Sequence, residues 1–78
     1  MVRLDRVEES KCCRVCRIEA DGAFICKLLP MGISIGNRVE MVYNRRFVPI
    51  LLGVGDSLIA IDRRKARTIF VEEEGNVR

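Results

Sequence analysis

"KCCRVCRIE", residues 11–19, decides how this chain is to be read. Cys12, Cys13 and Cys16 crowd into it, and Cys26 follows ten residues later. If the backbone loops here, the sulfurs converge on a metal or a redox pair. If it is extended, they scatter and cysteine serves as small apolar filler.

Spacing favours the extended form. Residues three apart on a strand point to opposite faces, so Cys13 and Cys16 diverge. Cys12 and Cys16 share a face but lie roughly 13 Å apart along an ideal strand. Zinc–sulfur bonds of about 2.3 Å cannot close that span. The chain also has no histidine, and no second cysteine pair stands at ribbon spacing. The expected role is packing by a residue type often found buried. The alternative, a soft-metal site for Fe²⁺ or Zn²⁺ at Cys12, Cys13, Cys16 and Cys26, requires a loop where the pattern gives a strand.

Outward from this strand the punctuation is regular. The lead-in "MVRLDRVEES" offers Leu4 and Val7 to tuck against a core. Asp21 suits a helix N-cap, because its carboxylate accepts from free N–H groups of the first turn. In "GAFICKLL" (22–29), Phe24, Ile25, Leu28 and Leu29 form a helical stripe that Pro30 ends, with Gly32 free to turn left-handed. "SIGN" (34–37) turns on Gly36. "RVEMVYN" (38–44) alternates, with Val39, Met41 and Tyr43 on one face, and "RRF" makes a hairpin loop. "FVPILLGV" (47–54) returns, and Pro49 places it at an edge or bulge. "LIAI" (58–61) follows, "DRRKA" (62–66) is a helical turn at most, and "TIFVE" (68–72) closes the series. The class is therefore all-β: about five short antiparallel strands and one short α-helix, most economically curled into an SH3-like barrel.

Size and composition set the limits. Seventy-eight residues make a single domain, 1–78, with its core in about 4–73. A chain this short buries only about 60% of its unfolded surface, yet 49% hydrophobic residues permit a core without staples. Aromatics are few (Phe24, Tyr43, Phe47, Phe70), so Val, Ile and Leu build the interior. No leader pattern opens the chain, and "FVPILLGVG" is about half of a membrane span. A cytoplasmic protein with reduced cysteines is expected. The +3 charge is modest, and Arg45-Arg46, "RRKAR" (63–67) and Glu72–Glu74 read as solvated surface.

Catalytic groupings are absent. Without histidine the usual general base is missing, and Ser10, Ser34 and Ser57 have no evident partners. "GVGDS" (53–57) lies between strands and opens no helix, so it is a hairpin turn and not a phosphate cradle. The carboxylates Glu8-Glu9 and Glu72–Glu74 serve solubility. Phe47 beside Arg45-Arg46 is the one aromatic set amid positive charge, thin support for nucleic-acid binding. Phe47 is expected to pack at the hairpin's end.

In their order and spacing, Leu28, Met31, Gly32, Ile33 and Gly36, then Val39, Pro49 and Ile50, then Ile61, Ala66, Ile69 and Val71 resemble the ferrous iron transport protein A (FeoA) family. The resemblance covers about residues 4–73. It departs where the family usually has a glycine, at "ESKC" (9–12). It implies an SH3-like barrel and a non-enzymatic cytoplasmic accessory role in bacterial ferrous iron uptake. The implied partner is FeoB, the ferrous iron transporter with a cytosolic GTP-hydrolysing region; membrane contact is then only indirect, no nucleic acid is bound, and self-association remains open. No cofactor is implied by the residues. The expected docking face combines Leu29, Met31 and Ile33, read as partly exposed beside Gly32, with the Arg45, Arg46, Phe47 hairpin tip; their burial as the barrel's lid is the competing reading.

Overall fold

The computed structural model describes residues 1–76, and in it Lys11–Ile18 is an extended strand, β2. Cys13 and Val15 point into the core, while Cys12, Arg14 and Cys16 are half-buried. The other strands are β1 (Val2–Arg3), β3 (Arg38–Tyr43), β4 (Ile50–Val54), β5 (Ser57–Ile61) and β6 (Ile69–Asn76). They form one antiparallel sheet in the order β1-β6-β2-β3-β4-β5. The all-β expectation holds, with six strands where the pattern gave five.

Alternation explains which side chains enter the core. Val39 and Met41 of β3, Ile50 and Leu52 of β4, and Ile69 and Val71 of β6 are buried in one cluster with Cys13 and Val15. Leu4 and Val7 of the lead-in are fully buried in the same cluster, as their apolar character predicts. At about 25 cal/mol per Å² of apolar area, such a cluster is the main force holding a chain this small together.

The helix α1 (Gly22–Leu28) starts as expected: the Phe24 N–H donates to Asp21 Oδ1 at 2.9 Å. A single 3₁₀ turn, Leu29–Met31, continues it and carries Pro30 at its start, where a missing N–H costs nothing. Gly32 ends the turn at φ 83°. A Cβ on Gly32 would lie 2.9 Å from Val54 Cγ1, so glycine also lets this turn sit against β4.

Several details depart from the pattern. β1 has two residues, too few for any periodicity, and pairs Val2 with Val71 and Arg3 with Phe70. A register shift between Met41 and Tyr43 breaks β3's alternation and turns Tyr43 outward, 39% exposed. Pro49 stands just before β4, and β4 lies inside the sheet between β3 and β5, not at an edge. The proline therefore forfeits no ladder hydrogen bond. β6 runs on through Glu73 and Glu74 to Asn76, past the expected strand end at Glu72. "DRRKA" yields a one-turn helix, α2 (Arg63–Ala66), capped by Asp62 Oδ1 accepting from the Arg64 N–H at 2.8 Å. Ser10, in the "ESKC" stretch, adopts φ 73°, the conformation glycine takes freely.

Candidate functional site

Three segments distant in sequence meet at one end of the sheet: the 3₁₀ turn Leu4–Arg6, the β3–β4 loop (residues 44–49) and α2. Asn44 joins them. Its Nδ2 donates to the carbonyls of Val7 at 2.6 Å and Asp5 at 3.1 Å, and its Oδ1 accepts from Arg63 Nη1 at 2.7 Å. Arg63 Nη1 also donates to the Arg45 carbonyl at 2.9 Å, which pins α2 to the loop.

Between these segments opens a cleft of about 590 Å³, lined by Arg3, Asp5, Arg6, Arg46, Phe47, Arg63 and Arg67. Asp5, its lone carboxylate, accepts from Arg3 at 3.1 and 3.2 Å and lies 3.8 Å from Arg67 Nε. Five guanidinium groups facing one carboxylate leave the cleft strongly positive, and guanidinium forks match carboxylate or phosphate oxygens. Reading along the chain misses this assembly, because its arginines lie at positions 3, 6, 46, 63 and 67. The local signals were "RRKAR", which resembles any solvated run, and the Arg46, Phe47 hairpin tip, which gives no hint of Arg3 and Arg6 beside it.

The expected docking face is divided by the structure. Leu29 and Met31 are exposed, at 53% and 44%. Ile33 is not: it is fully buried in the core, and its N–H donates to the Leu28 carbonyl at 3.2 Å. Gly32 reverses the chain so that Met31 and Ile33 face opposite ways. Ile35, not singled out from the sequence, is 67% exposed on the same segment. At the hairpin tip Arg45, Arg46 and Phe47 are all exposed. Phe47 does not pack at the hairpin's end; it is 94% exposed, at φ 67°. Arg45 is engaged internally, bound to Glu9 and lying 5.3 Å from the centre of the Tyr43 ring.

The four thiols are free and occupy different environments. Cys13 is fully buried, and desolvation, helped by Glu73, pushes its thiol up to about 11. Cys12 and Cys16 are half-buried and Cys26 is exposed on α1. β2 is irregular at Cys12/Cys13 and at Val15/Arg17, so Cys16 sits in a bulge against β6, its Sγ 3.5 Å from the Arg14 carbonyl. Among the described residues, no three His, Cys, Asp or Glu side chains gather as a metal would require. No helix among them is long and apolar enough to cross a membrane.

Residues 2–73 match the FeoA domain. The chain belongs to the FeoA family. Among solved structures, a crystal structure of an iron uptake regulatory protein (FeoA) superposes with a TM-score of 0.88 at 23% identity, covering 94% of this chain and 97% of that one. Iron(II) transport protein A from Clostridium thermocellum is 30% identical, with a TM-score of 0.84; the match covers 92% of this chain but 45% of that one. Stenotrophomonas maltophilia FeoA, crystallised with zinc and described as an SH3 domain protein, is 22% identical with a TM-score of 0.78, over 92% and 91% of the two chains. The FeoA fold is thus an SH3-like one. No curated protein sequence matches this chain.

Proposed function

We propose that this protein is a non-enzymatic, cytoplasmic accessory protein of bacterial ferrous iron uptake, docking on the cytosolic GTP-hydrolysing region of an FeoB-type transporter. Membership of the FeoA family is the observation that carries the reading. The Stenotrophomonas maltophilia relative is described as a candidate ferrous iron transport activating factor. The surface is consistent with docking: Leu29, Met31 and Ile35 project from one short segment instead of entering the core, and Arg46 and Phe47 stand free at the β3–β4 tip. Exposed apolar side chains grouped on one segment suit a partner better than water.

Titration of the purified chain against the cytosolic region of its FeoB, with and without guanine nucleotide, tests this. Saturable binding that Leu29→Ser with Met31→Ser weakens is expected. Absence of binding in every nucleotide state would remove the partner. The alternative, Fe²⁺ or Zn²⁺ held by cysteine, is decided by elemental analysis of anaerobically purified protein and of Cys16→Ser. Self-association is read from the same preparation by sedimentation.

A further inference from the structure

We propose that the arginine-lined cleft is a binding site for a nucleoside polyphosphate, with its phosphates between Arg6 and Arg46 and its base against Phe47. This goes beyond docking on a transporter and does not depend on it.

The guanidinium groups are of two kinds. Arg3 and Arg63 are held in place, Arg3 by Asp5 and Arg63 by Asn44 Oδ1 at 2.7 Å and the Arg45 carbonyl at 2.9 Å, while Arg67 lies within ion-pair distance of Asp5 at 3.8 Å. Arg6 and Arg46 have no hydrogen-bond or ion-pair partner among the described residues. Fixed positive groups raise the potential of the cleft at little ordering cost, and two free forks remain to grip an anion with several oxygens. Asp5 neutralises one of the five positive charges and leaves a formal excess of four, and its side chain, only 9% exposed, is itself little accessible to a ligand.

Phe47 distinguishes a nucleotide from a simple anion. A non-glycine residue at φ 67° is strained, and a phenyl ring 94% exposed gains nothing from the core. Neither folding nor solubility accounts for it. Placed at the mouth of a cationic cleft, an unburied ring is a stacking platform for a planar base. The cleft's volume of about 590 Å³ lies within the roughly 300–1,000 Å³ typical of small-molecule sites.

The test is calorimetric titration of the full chain, at low salt and without transporter, with GTP, ATP, tripolyphosphate and inorganic phosphate. Both nucleotides are expected to saturate, and to bind more tightly than tripolyphosphate. Arg6→Gln and Arg46→Gln should each weaken nucleotide and tripolyphosphate alike, by about tenfold for a lost charged hydrogen bond. Phe47→Ala should weaken the nucleotides by about tenfold and leave tripolyphosphate unchanged. All three side chains are exposed or unpaired, and amide spectra verify that the variants fold. The proposal falls if neither nucleotide saturates, if the arginine variants bind as well as the parent, or if tripolyphosphate binds as tightly as the nucleotides.

Discussion

The Arg45 guanidinium clasps the Glu9 carboxylate through two hydrogen bonds, Nε to Oε2 at 2.8 Å and Nη2 to Oε1 at 3.2 Å. The Asn44 N–H donates to the same Oε2 at 2.8 Å, so the lead-in is fastened to the β3–β4 loop. These donors, Arg45 first, lower the Glu9 pKa from 4.5 to about 2. A carboxylate depressed by folding stabilises the fold fully above its unfolded pKa, and that contribution fades as pH falls through the folded value. The window here is pH 4.5 down to about 2. Exposure to solvent keeps the effect small. Carbon-detected NMR should find Glu9 titrating well below the usual carboxylate range and the Asn44 amide shifting with it; an ordinary Glu9 midpoint would refute the clasp.

The Asn44 side chain makes three hydrogen bonds that tie its loop to two other segments, the lead-in and α2. Asn44→Ala strands the Val7 carbonyl, leaves the Asp5 carbonyl only a long bond from Arg63 Nη2 at 3.4 Å, and should cost about 1–3 kcal/mol. Asn44→Asp keeps the shape but sets a carboxylate against those same carbonyls, and should be at least as damaging. Urea midpoints of the two variants check this. A loss below about 0.5 kcal/mol in both would mean the three segments hold together without Asn44.

Two glycines with left-handed backbones should respond differently to a methyl group. At Gly36, φ 94°, a Cβ meets nothing within 4 Å, so Gly36→Ala bears only the conformational cost of about 1–2 kcal/mol. At Gly32, φ 83°, the same Cβ would also press on Val54 Cγ1 at 2.9 Å. Thermal unfolding should therefore rank Gly32→Ala below Gly36→Ala; equal losses would show that Val54 yields freely.

Thiol labelling should follow burial. Cys26 is exposed and should react first with an alkylating reagent, while Cys13, buried and with its pKa raised to about 11, should resist until the chain unfolds. Because folding raises the Cys13 pKa from 9.0, its neutral form is favoured in the fold, and stability should fall as pH climbs from about 9 to about 11. Mass spectrometry of partly labelled native protein reads the order directly. Early modification of Cys13 would contradict its burial.

What the sequence made legible was local. Asp21, Gly32 and Gly36 each act through their own neighbours in the chain, and each sits as its chemistry predicts. Cys13 and Val15 alternate into the core because a strand's side chains must. What stayed hidden depended on pairing between distant segments. β1 has meaning only beside β6, and the irregularity that exposes Tyr43 exists only in β3's register with β4. Ile33 and Met31 are equally apolar and two residues apart, and only Gly32's backbone decides which is buried. The arginine cleft is the extreme case, for it is assembled from both termini of the pattern and its middle. Ser10 lies between these cases: a glycine-like backbone is written there with a residue that gives no sign of it.

The pairing of β2 with β6, from Ile18 against Ile69 to Lys11 against Asn76, has a consequence for biosynthesis. A central ladder needs partners more than fifty positions apart, so nothing emerging early from the ribosome can complete it. Even after β3 has paired one edge of the cysteine-bearing strand, the nascent chain must carry its other edge open until residues 69–76 have cleared the exit tunnel. Completion of the sheet is thereby deferred until β6 has emerged, and chaperone demand should concentrate in that interval.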